Sequence, residues 1–223
     1  MTATDSAAAE QAQMLAGIEQ LLGRCLLKLQ CCEHLLKQQV IRSSLAGPIA
    51  ELEVLAAKRT ASFSTVTLGQ LINEFLSTGV VDEAAEPAPP PASKPPASPH
   101  FSFRQELAMS AQQIDSLQRA LRELLALRNE LVHQFVLRFP LRSVDGCMAA
   151  HAHLEQCLVS IESHLQAMKA WTQSSVESAR IARRFLQSPE FDQLLQQDLE
   201  RAAPPSNGRP ATRPGPGRRR KRS

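Results

Sequence analysis

The chain has 223 residues, 43 % hydrophobic but only 4 % aromatic, with no Tyr and a formal net charge of +3. That length allows one sizeable core with extensions, and an apolar set carried by Leu and Ala favours helices packed on one another over a sheet. The charge is unevenly placed: residues 201 to 223 hold eight Arg or Lys and no acid, leaving 17 positive and 22 negative charges on residues 1 to 200.

From Leu15 the apolar positions Leu15, Ile18, Leu22, Cys25, Leu29, Cys32, Leu36 and Val40 step by three and four, the stripe of a long amphipathic helix. Gly47-Pro48 is expected to end it, with Pro48 in the first turn of a shorter helix reaching about Ala57. Thr67 and Gln70 form a capping box opening LGQLINEFL, which Gly79 can close. Residues 1 to 81 therefore read as a helical N-terminal half. Residues 82 to 100 contain seven Pro and no large apolar side chain, the composition of a linker or long surface loop.

A second long helix is predicted from about residue 101, with Leu107, Ile114, Leu117, Leu121, Leu124, Leu131 and Phe135 on one face and Phe139-Pro140 at its end. After the turn PLRSVDG comes a third, with Val144, Cys147, Leu154, Leu158, Ile161, Leu165 and Met168 in phase; a short connection makes the two antiparallel. Ser188 caps a last helix with Pro189 in its first turn, running to about Glu200. The expected fold is all-α, an antiparallel up-and-down bundle of about six helices without a sheet. Its bundle region is residues 101–200, and residues 201–223 form a disordered basic tail.

Cys25, Cys31, Cys32, Cys147 and Cys157 are odd in number and lack the spacing of a zinc site or the density of a disulfide scaffold, so they read as small core residues in a reducing compartment. No apolar run approaches the ~18 residues of a membrane span and no leader-like start is present, which predicts a cytoplasmic protein away from membranes. His151 and His153 diverge on a helix, and no Asp/Glu cluster suggests two-metal hydrolysis. Neither a metal nor a cofactor is expected.

Within the leucine-rich run LALRNELVHQFVLRFP, Arg128 falls on the apolar stripe, while Asn129 and His133 stand one turn apart. A charge on that stripe must be paired or must line a cleft or interface. The three side chains converge if Arg128 curls across roughly a quarter turn. Two readings follow from the chemistry. Either Arg128 pairs with a carboxylate such as Glu123 and His133 is a satisfied interface histidine, or the three form an anion-binding and proton-transfer cluster. Arg138 and Arg142, in and beside the following loop, can hold phosphates or be solvated charges. His151, on the stripe of the third helix, reads as a buried hydrogen-bonded histidine, and Trp171 as a packing residue.

The segment RNELVH, Arg128 to His133, resembles the signature of the HEPN superfamily of helical-bundle ribonucleases, in which an Arg followed by a polar residue precedes a His by a few positions. The helices of residues 101 to 187 suit that family's bundle. The resemblance implies a metal-independent endoribonuclease with Arg128, Asn129 and His133 as catalytic residues, in which 2′-OH attack leaves a 2′,3′-cyclic phosphate. It also implies a homodimer with the motifs facing one another, and often a toxin paired with a nucleotidyltransferase-like antitoxin. The tyrosine that such antitoxins modify two residues after the His is Phe135 here. Arg218, Arg219 and Arg220 of the tail would add RNA affinity. The alternative is a non-catalytic helical RNA-binding or protein-scaffold module.

Overall fold

The computed structural model describes residues 3–85 and 100–202. They form six helices, counting residues 111–138 as one interrupted rod, and two short strand pairs. The chain divides into two compact units, one ending at Glu177 and one beginning at Ser178.

The first unit is built on three long helical rods. Helix α1 (Ala3–Arg42) buries Ile18, Cys25, Leu29, Cys32, Leu36 and Val40, the positions its period marks as one stripe. Its C-terminal carbonyls are capped from a distance: Arg59 donates to Ile41 O at 3.0 Å and to Val40 O at 2.7 Å, and Ser43 Oγ donates to Val40 O at 2.9 Å. This satisfies groups a helix end leaves orphaned, so α1 stops before the expected Gly47-Pro48. Residues Ser44–Pro48 instead form strand β1, a three-residue 3-10 turn follows at Ile49–Glu51, and helix α2 spans Leu52–Ser62. Helix α3 (Leu68–Thr78) starts at the expected capping box, Thr67 accepting from Gln70 N and Gln70 from Thr67 N, and ends at Gly79.

Strands β2 (Val80–Asp82), β3 (His100–Arg104) and β4 (Leu107–Met109) lie where the sequence reading expects loop or helix. β1 pairs antiparallel with β3, Ser44 opposite Arg104 and Pro48 opposite His100; β2 pairs parallel with β4, Val80 opposite Leu107. The expectation of a sheet-free chain and of a helix from residue 101 is thus corrected. Phe101 and Phe103 alternate with polar residues at the period of a strand, Pro48 sits at the end of an edge strand, and the second rod begins only at a capping box formed by Ser110 and Gln113.

That rod is α4 (Ala111–Asn129), a π-helical turn at Glu130–Gln134, and the single-turn α5 (Phe135–Arg138). Helix α6 begins at Val144 and continues to Leu186. Side-chain pairs set the helix directions. Glu123 meets Ser160 and His164, while Glu130 meets His153, so α4 and α6 are antiparallel, as the short connection requires. Gln11 meets Arg142, Lys28 meets Glu162 and Gln39 meets Ser175, so α1 runs parallel to α6. Leu121, Leu124, Leu154 and Ile161 are fully enclosed between these rods. Phe75 of α3 stacks on Trp171 at 6.2 Å. Gly146 is required at the start of α6, because a Cβ there would fall on the Pro140 carbonyl oxygen.

In the second unit the end of α6 turns at Ser188, whose Oγ accepts from Phe191 N at 3.3 Å, into helix α7 (Pro189–Ala202), and Phe185 meets Phe191 edge-on at 5.6 Å. The basic tail beyond Ala202 and linker residues 86–99 lie outside the described residues. Among the described residues no helix is long and apolar enough to cross a membrane.

Candidate active site

Arg128, Asn129 and His133 come together at the junction of α4 and the π turn. Arg128 Nη1 donates to Asn129 Oδ1 at 3.2 Å and lies 3.2 Å from His133 Nε2. On an ideal α-helix, residues five apart diverge by about 140°. A π turn closes its rings over one residue more, so a spacing of five comes round to nearly one turn. The helix itself therefore supplies much of the convergence that the sequence reading assigned to side-chain curl.

The core seats the turn. Leu131 and Phe135, four apart across it, are both buried, a step that would drift about 40° around an ideal helix. Phe139, in extended backbone just past α5, is buried as well and meets Phe135 at 5.2 Å. Burial of these residues leaves Asn129 and His133 on the exposed side and Arg128 half-buried.

The chemistry of the contact follows from donor inventory. A guanidinium only donates, so the approach of Arg128 Nη1 to His133 Nε2 is a hydrogen bond in the tautomer that leaves Nε2 as the acceptor. Both hydrogens of Nη1 are engaged inside the motif. The Nε–Nη2 edge retains three N–H groups, the fork that grips a phosphate. A neutral imidazole with its lone pair beside that fork can take a proton from a hydroxyl placed next to a bound phosphate.

The remaining sequence candidates divide. Arg128 does not reach Glu123, whose Oε1 accepts from Ser160 Oγ at 2.9 Å and whose Oε2 lies 3.8 Å from His164 Nε2. Arg138 pairs with Glu130 and has its guanidinium carbon 5.5 Å over the Phe139 ring. Arg142 is exposed, and its carbonyl accepts from Gln11. Arg218, Arg219 and Arg220 lie outside the described residues. His151 is exposed, 3.7 Å from Glu155, which corrects its reading as a buried histidine: the helix turns its ring outward beside Met148.

The structure adds two residues that the sequence reading passed over. Glu130 accepts from His153 Nε2 at 2.8 Å as well as from Arg138. His153 lies 5.1 Å from the Phe139 ring, and the same Nε2 is 3.3 Å from Cys157 Sγ. Burial pushes the Cys157 thiol up to about 11, so it is protonated and not a nucleophile near neutral pH. Among the described residues no three His, Cys, Asp or Glu side chains form a set able to hold a metal ion. No signal in the sequence joins Glu130 to His153, because 23 positions and a helix reversal separate them.

A separate cleft of about 410 Å³ lies along the first half of α4 and is lined by Met109, Leu117, Leu121, His164, Met168 and Trp171 among others. It belongs to turns N-terminal to the motif and includes none of its residues.

No family model, no curated protein and no solved structure matches the chain. The functional reading therefore rests on the residues themselves.

Proposed function

We propose that the chain belongs to the class of helical proteins that bind nucleic-acid phosphate through an Arg-containing cluster at a helix kink. Within that class we assign it as a metal-independent endoribonuclease of HEPN type. The observation that carries the assignment is the joint contact of Arg128 Nη1 with Asn129 Oδ1 and His133 Nε2 on an exposed surface.

In this reaction the Nε–Nη2 edge of Arg128 binds the scissile phosphate and draws the guanidinium from His133, freeing Nε2. Nε2 takes the proton of the ribose 2′-OH, the 2′-oxygen bonds to phosphorus, and the P–O5′ bond breaks. The products are a 2′,3′-cyclic phosphate and a 5′-hydroxyl, the latter protonated by water or by His133 of the partner subunit. Asn129 holds the guanidinium in register. DNA lacks the attacking hydroxyl and is not cut.

A homodimer accompanies this reading. Val132, Val136 and Leu137, the last 88 % exposed, are large apolar side chains on the segment that carries His133, and burying them against a second copy would enclose the motif in an isologous cleft. A toxin role, restrained by an antitoxin, is the cellular setting the resemblance implies; with Phe135 at the modified position and no Tyr in the chain, tyrosine modification is not the means of that restraint.

The test is incubation of purified protein with end-labelled RNA in EDTA, comparing the wild type with His133→Ala and reading the termini. Cyclic-phosphate ends that disappear in His133→Ala are expected. Intact RNA in both samples across several substrates, with retention of RNA in a binding assay, would replace the nuclease with an RNA-binding module.

A further inference from the structure

We infer that Glu130 and His153 are positioning residues, a clamp between the π turn and α6 that sets the Arg128–His133 geometry. The inference rests on the ribonuclease reading only for its effect on catalysis; the clamp itself is a statement about the turn.

A π turn gives up the better packing of α-helical rings and persists where surrounding contacts hold it. Here Leu131 and Phe135 seat it on the core side. On its flank, Glu130, the first residue of the turn, is bonded in two directions. His153 Nε2 ties it across to α6 at 2.8 Å, and Arg138 ties it forward to the end of α5. Both ends of the segment that carries His133 are thereby fixed to one carboxylate. The Glu130 and His153 side chains are only 21 % and 18 % exposed, so water competes weakly for these bonds. His153 is in turn packed against Phe139 and Cys157, which fix its ring.

If the clamp opened, the segment would relax toward α-helical spacing, and His133 would swing by a large part of the 140° that separates residues five apart. Arg128 and His133 would then address different faces. Arg138 is also held to Glu130, which keeps its charge from drawing a phosphate away from Arg128.

The experiment compares His153→Leu, which removes the donor, with His153→Gln, whose amide can donate to Glu130 from a similar position. Three measurements are made on the full chain: amide hydrogen exchange across residues 130–138, the His133 ring resonances by NMR, and single-turnover RNA cleavage. In His153→Leu, exchange across 130–138 is expected to rise about tenfold, the loss of one hydrogen bond to a charged group. The His133 resonances should move from their wild-type positions, and kcat should fall about tenfold with KM little changed, since the clamp touches no RNA. His153→Gln should restore all three.

Unchanged exchange and unchanged His133 resonances in His153→Leu would overturn the clamp, whatever the activity. Should that variant fail to fold, Arg138→Leu decides in the same way, because Arg138 is the exposed arm of the clamp. A wild type that cuts no RNA would remove the ribonuclease reading while the exchange and NMR results still decide the clamp.

Discussion

Replacing Arg128 by Lys keeps the charge and removes the fork, and the structure sets what that should cost. Arg128 uses one nitrogen for Asn129 and His133, both at 3.2 Å, and keeps its other edge for a phosphate. An ammonium has three donors about a single nitrogen and cannot hold the motif and a bidentate phosphate together. At least one charge-assisted bond is lost in the transition state, worth about 1.5–3 kcal/mol. Because Arg128 is half-exposed, the low end applies, and cleavage should slow by about tenfold. Folding should hardly change, since the two groups Arg128 bonds, Asn129 and His133, are both exposed and surface substitutions shift stability by about 0.5 kcal/mol or less. The assay is single-turnover cleavage of labelled RNA in EDTA at saturating protein, with thermal melts of the same preparations. A wild-type rate in Arg128→Lys alongside an inactive His133→Ala would refute the fork and leave Arg128 a simple point charge. A large drop in Tm would instead mark Arg128 as a structural residue.

Leu137→Glu places a charge on the exposed apolar segment beside His133; sedimentation should show a dimer for the wild type and a monomer for the variant, and a monomeric, fully active wild type would remove the isologous cleft. Gly146→Val forces side-chain carbon onto the Pro140 carbonyl and should cost about 1–3 kcal/mol, read as a lowered urea midpoint; an unchanged midpoint would show that the turn before α6 yields freely. Burial raises Cys32 and Cys157 from 9.0 to about 11. Their contribution to stability is therefore complete below about pH 9 and is lost as pH rises through about 11, because the unfolded thiols ionise first. Urea melts at increasing alkalinity should show a shallower decline for Cys32→Val with Cys157→Val than for the wild type, and equal declines would contradict the burial effect.

Much of the helical framework was legible from periodicity, since every fully enclosed residue of α1 lies on the stripe its three-and-four spacing marks. The capping box at Thr67, the stop at Phe139-Pro140 and the Ser188 cap are equally local, being made by residues within a few positions of one another. The identity of Arg128, Asn129 and His133 as a candidate set was likewise readable, because their types and order carry the chemistry.

Tertiary structure decided the rest. β1 and β3 pair residues more than fifty positions apart, and such pairing depends on the long helices bringing the two segments side by side. The end of α1 was set by Arg59, a residue of another helix. The geometry of the site was decided in the same way. A sequence read at 100° per residue turns Arg128 and His133 apart, and they meet because buried Leu131 and Phe135, with the Glu130–His153 bond to α6, hold the helix in a wider turn. The sequence determined which groups are present, through composition and local spacing. Packing against α6 determined that they touch, because only non-local contacts can stabilise a turn that its own hydrogen bonds disfavour.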